Sequence, residues 1–132
     1  MSTWLLRIGV LLWLPGLIGQ PGLEVCLRPE APKVEIGQAS WYGGFHEGRL
    51  TANGEIFRMR KLTAAHKSLP MGTIVRVTSL RTGRSVVVRI NDRGPYMDRR
   101  VIDLSRGAAQ ELGVVRRGLE PVRVEQIATS AG

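Results

Sequence analysis

The chain has 132 residues, with 19 Lys and Arg against 11 Asp and Glu and a formal net charge of +8. That length holds one modest hydrophobic core and excludes a multidomain assembly. The charge calls for a partner that is polyanionic or acidic in places, yet the arginines are spread over strand-like segments and turns. They form no contiguous basic block and no recognition helix, which argues against nucleic acid.

Residues 1–25 read as a signal peptide. Trp4 to Ile18 is almost wholly apolar, broken by Arg7, Gly9, Pro15 and Gly16. It is shorter than the ~20 residues a spanning helix needs, and Pro15-Gly16 would interrupt such a helix. A signal-like helix over Ile8–Leu14 fits export to the periplasm or cell envelope; a buried N-terminal helix is the alternative. The single cysteine, Cys26, has no partner for an internal disulfide. Its place after the signal-like stretch suggests an outer-membrane lipoprotein, while Val25, where a small residue is normal, favours an inert thiol.

Residues 26–36 form a Pro-interrupted linker, with ordered structure starting near Val34. Gln38–Gly43 reads as a strand ending at a Gly-Gly turn, and Phe45–Arg58 as a long polar loop. Leu62–His66 is a short apolar piece, and Ser68–Gly72 a turn. Thr73–Thr78 alternates with period two, and Arg81–Arg84 makes a hairpin to the apolar run Val86–Ile90. That run stops at the turn formers Asn91–Pro95. Val101–Leu104 is a second apolar piece, with Asp103 inside it. Ser105 caps a helix through Ala108–Leu112, and Gly113 suits the left-handed position after it. Leu119–Ile127 is a last strand, and 129–132 a tail. Short strands, long loops and one helix predict a mainly β domain over 37–128, closed into a small barrel that leaves no strand edges exposed.

Four ionisable residues stand out, each with an ordinary alternative. Glu55 beside Gly54 can be a solvated loop acid, His66 a satisfied core histidine, Asp92 a turn residue, and Asp103 the partner of Arg99, Arg100 or Arg106. There is no nucleophile elbow, metal-ligand spacing or Gly-rich phosphate loop, so no metal and no cofactor are expected. Carboxylate and imidazole acid–base chemistry remains. Glycosidic bonds suit it, because their poor leaving group needs a proton.

Ala39-Ser40-Trp41-Tyr42-Gly43, Thr51-Ala52-Asn53-Gly54-Glu55, Leu62-Thr63-Ala64-Ala65-His66-Lys67, Asn91-Asp92-Arg93-Gly94-Pro95 and Ile102-Asp103-Leu104-Ser105 occur in this order. Together they resemble the rare lipoprotein A (RlpA) family of bacterial cell-wall proteins over residues 37–127. The resemblance implies a six-stranded double-psi β-barrel related to expansins. It also implies endolytic cleavage of peptidoglycan between N-acetylmuramic acid and N-acetylglucosamine, preferably on strands without stem peptides, with a 1,6-anhydro product. Asp103 matches the general acid/base, Glu55 and His66 match residues implicated in activity, and Asp92 a further acid of the groove. Trp41, Tyr42, Thr51, Asn53 and Arg93 are the expected substrate contacts, with Trp41 and Tyr42 equally suited to core packing. The likeness is to the barrel without the C-terminal repeat that takes fuller members to the septum. A monomer is expected. The alternative function is an expansin-like module that binds wall glycan without cutting it.

Overall fold

The computed structural model of the protein describes residues 33–97 and 99–129. The segment read as a signal peptide and Cys26 lie outside the described residues. Six strands and one α-helix follow one another: β1 Val34–Tyr42, β2 Thr63–His66, β3 Ile74–Ser79, β4 Ser85–Asp92, β5 Arg100–Ser105, α1 Arg106–Leu112 and β6 Glu120–Ala128. The strands close in the order β1-β5-β2-β4-β3-β6. β1 runs parallel to β5 and β2 parallel to β4, while β2 and β5 are antiparallel. This is the double-psi barrel that the resemblance implies.

Alternation builds the core. On β3 and β4, Val75, Val77, Val86, Val88 and Ile90 point inward and are almost wholly buried, while Arg76 and Val87 point out. Ile102 and Leu104 of β5, Val122 and Val124 of β6, and Leu112 of α1 complete it. Each such side chain contributes about 1.5–3 kcal/mol on leaving water. The helix keeps its expected boundaries: Ser105 accepts from the Ala108 amide, and Gly113 takes the left-handed conformation at φ 80°. A residue with a side chain at Gly107 would put its Cβ 2.5 Å from the Arg60 carbonyl. Glycine therefore lets the long loop dock on the helix start, where the Gly107 amide donates to Met59 at 2.7 Å.

Two boundaries differ from the sequence reading. Residues 34–36, assigned to the linker, are the start of β1, because Val34–Ala39 pairs with Glu120–Glu125 of β6. Leu62–His66 contributes a true strand, buried at all four positions of β2. A polar knot closes the far side: Glu120, fully buried, accepts from Ser79 at 2.5 Å, from Arg117 at 2.8 Å and from Arg81 at 3.3 Å.

Candidate active site

β2 lies between β4 and β5, and both Ala64 and Ala65 pair with each of them in register. Ala65 is paired with Asp92 on one side and with Asp103 on the other. Two strand spacings put the Cα atoms of those acids about 10 Å apart. A groove of about 260 Å³ opens over Ala65, lined by Tyr42, His46, Asp92, Arg93, Arg100 and Asp103.

Asp103 is tethered by one oxygen. Its Oδ1 accepts from the Ser40 hydroxyl and, at 2.9 Å, from Arg100 Nη2, which also donates to Ser40 Oγ at 2.6 Å. Ser40 is opposite Asp103 in the β1–β5 register, so the strand pairing itself delivers the contact. Of the three arginines open to Asp103 in the sequence, the structure selects Arg100. Asp92 is also held by Oδ1, which accepts from the amides of Ala52 and Arg93, both at 2.9 Å. Tyr42 stacks on Phe57 with centroids 4.9 Å apart and meets His46 edge-on at 5.0 Å. Its hydroxyl is buried and has no partner among the described residues. Burial, then the nearby Asp92 and Asp103 carboxylates, push its ionisation well above the ordinary tyrosine value.

Glu55 and His66, which the resemblance groups with Asp92 and Asp103, do not line this groove. Glu55 lies behind Asp92 in a closed network. Arg89 grips both its oxygens at 2.7 and 2.9 Å, Asn91 donates to Oε1 at 2.7 Å and Asn53 to Oε2 at 3.1 Å. The Arg89 fork, assisted by the two asparagines, holds its carboxyl down at about 2. Thr51 and Asn53 spend their polar atoms in the same loop: Thr51 Oγ1 donates to Asn53 Oδ1 at 2.6 Å, and Asn53 Oδ1 accepts the Glu55 amide at 3.1 Å. This knot carries Ala52 to Asp92.

The ring of His66 turns the other way, since successive strand residues alternate sides and Ala65 faces the groove. It sits in a separate cleft of about 520 Å³ with Glu35, Ser68 and Leu69, and its Nε2 is 2.8 Å from Glu35. Trp41 likewise points away from Tyr42. Its indole N–H donates to the Val115 carbonyl at 3.2 Å and its ring packs on the core, so it offers no stacking face to the groove. Tyr42 and Arg93 do line it. Sequence reasoning missed His46 and Arg100 as groove residues and Ser40 as the tether of Asp103. The Arg100-x-x-Asp103 spacing was a usable signal, whereas His46 comes from a loop with no periodicity to read.

A family profile described as lytic transglycolase matches residues 34–124. An endolytic peptidoglycan transglycosylase RlpA of Neisseria meningitidis serogroup A is 53% identical over 94 residues, covering 71% of this chain and 39% of that protein. A probable endolytic peptidoglycan transglycosylase RlpA of Nostoc sp. is 62% identical over 92 residues, covering 67% of this chain and 24% of that one. The chain thus spans well under half the length of these curated relatives. Among solved structures, an expansin of Clavibacter michiganensis aligns with TM-score 0.59 and 22% identity, covering 76% of this chain and 53% of that chain. The Streptomyces papain inhibitor aligns at 0.58 and 23%, covering 70% and 93%. Those two likenesses establish the fold alone. The profile spans more than half of the sequence and takes in every groove residue named above, and on that ground the chain belongs to the lytic transglycolase family.

Proposed function

We propose that this domain is an endolytic peptidoglycan lytic transglycosylase, with Asp103 as its proton shuttle. The observation that carries the proposal is the one-sided tether of Asp103 in an open groove. Ser40 and Arg100 fix Oδ1, which presents the other oxygen to a bound glycosidic bond. Lytic cleavage consumes no water: the muramic C6 hydroxyl attacks C1 of its own ring. Asp103 gives its proton to the leaving oxygen and then accepts the one released by the C6 hydroxyl, so a single acid/base serves both half-steps. Asp92, across Ala65, stabilises the positive charge that develops at the anomeric carbon. Arg93 and Arg100 line the same groove and favour the lactyl carboxylates of strands stripped of stem peptides. Glu55 acts from behind by holding the loop that positions Asp92.

The relatives' names place their action on peptidoglycan. With the signal-like N-terminus, that supports work in the periplasm or cell envelope. The competing reading, a module that binds wall glycan without cutting it, draws on the absence of Glu55 and His66 from the groove lining. Digestion of purified denuded glycan strands, read by mass spectrometry, separates the two. Anhydro-ended fragments that disappear in Asp103→Asn are the expected result. Binding without fragments supports the module, and products carrying an added water indicate a hydrolase.

A further inference from the structure

His66 is 5% exposed, and its imidazole lies in a different cleft from the proposed proton shuttle. Its ring nitrogens are both engaged. Nδ1 accepts from the amides of Ser68 and Leu69, each at 3.1 Å, which fixes the ring proton on Nε2 facing Glu35. The two amides belong to the turn that follows β2, and that turn has a second client. Arg93 Nη1 donates to the His66 carbonyl at 3.2 Å and to the Leu69 carbonyl at 2.8 Å. The guanidinium so held lines the groove beside Asp92 and Asp103. One turn, 66–69, is thus tied on one face by the imidazole and grips the groove arginine with carbonyls of its first and last residues.

We infer that His66 is a positioning residue that acts on the groove through Arg93, by shaping the 66–69 turn, and never touches the glycan. The arrangement links a histidine on the far side of β2 to a site on the near side. Without its Nδ1 acceptor the Ser68 and Leu69 amides lose their partner, the turn relaxes, and the two carbonyls no longer converge on Arg93. Glu35 is an outer support: it orients the ring from Nε2 and is half-exposed.

The inference rests on the groove being the glycan site, and two isosteric variants test it. The side-chain oxygen of asparagine superimposes on histidine Nδ1, whereas the glutamine amide reaches the Nε2 position. His66→Asn is expected to bind denuded glycan strands within about threefold of the wild type and to keep the Ser68 and Leu69 amides protected from hydrogen exchange. His66→Gln is expected to weaken binding and raise KM about tenfold, the equivalent of one hydrogen bond's worth of positioning, with kcat within threefold. It should also shift the Arg93 guanidinium resonance. In an Arg93→Ala background the His66→Gln loss should vanish, because both changes remove the same contact. The inference is overturned if His66→Asn fails as badly as His66→Gln, or if the two losses add in the double variant. Binding and resonances are readable even if the wild type releases no anhydro product, an outcome that would sink the transglycosylase reading alone.

Discussion

Arg89 holds Glu55 by both carboxylate oxygens, at 2.7 and 2.9 Å, in a fork on the outer side of β4. Because this pair holds Glu55 down at about 2, below its usual value of about 4.3, the ionised form stabilises the fold. That contribution is complete above the ordinary carboxylate range and is lost as the pH falls toward 2. The pair is about a third exposed, so solvent screening limits it to about 0–1 kcal/mol. Thermal unfolding of wild type and Glu55→Gln should show a gap of a few degrees at neutral pH that closes between pH 5 and 2. A gap constant with pH would mean that the charge of Glu55 is not what the loop depends on.

Replacing Asp103 by Asn keeps the shape and the acceptor for Arg100 but removes the transferable proton. Turnover on denuded glycan should fall by about 10²–10⁴, the usual worth of a general acid/base, with KM little changed. Unfolding temperature should stay within a few degrees of the wild type. Rate and stability falling together would instead identify Asp103 as a structural anchor for Arg100 and Ser40.

The Tyr42 hydroxyl is buried with no partner among the described residues, so Tyr42→Phe removes an uncompensated polar group. Such a group costs about 1–3 kcal/mol. The variant should therefore melt at or above the wild-type temperature, as calorimetry can check. A clear drop would reveal a bridging water or other partner in the Asp92–Asp103 gap.

Glu120 is fully buried with three donors, two of them arginines that are nearly half-exposed. Glu120→Ala leaves the buried Ser79 hydroxyl proton without its acceptor and opens a void. The arginines can turn to water, so the loss should sit at the lower end for a broken buried pair, about 3 kcal/mol. Denaturant unfolding measures it. Glu120→Gln, which keeps an acceptor for Ser79, should lose less.

Much of the barrel could be read from the chain because its signals are local. Period-two alternation marks β3, an apolar β-branched run marks β4, and Ser105 with Gly113 brackets the helix. Other features depend on pairing that no local pattern encodes. Val34–Ile36 reads as linker because its only reason to be extended is β6, over eighty residues away. The site divides the same way. Asp92 and Asp103 were identifiable as groove acids, one at a turn and one framed by Ile102 and Leu104. Glu55 and His66 carry the same chemical credentials, and only the three-dimensional partners, Arg89 for one and the Ser68 and Leu69 amides for the other, set them apart from the groove. Trp41 and Tyr42 are adjacent, so at most one of them could face the sugar, and the sequence does not say which.

Ala65 has a consequence for how the protein comes into being. β4 and β5 never pair with each other; only the short β2, threaded between them, aligns Asp92 with Asp103. The three strands all come from residues 63–105, but no pair of them alone brings both acids together. Pairing across tens of residues is slow, so the acids should come into register only once β2 has paired with both neighbours. A chain in which β2 has paired on one side only would carry one acid in place and no groove.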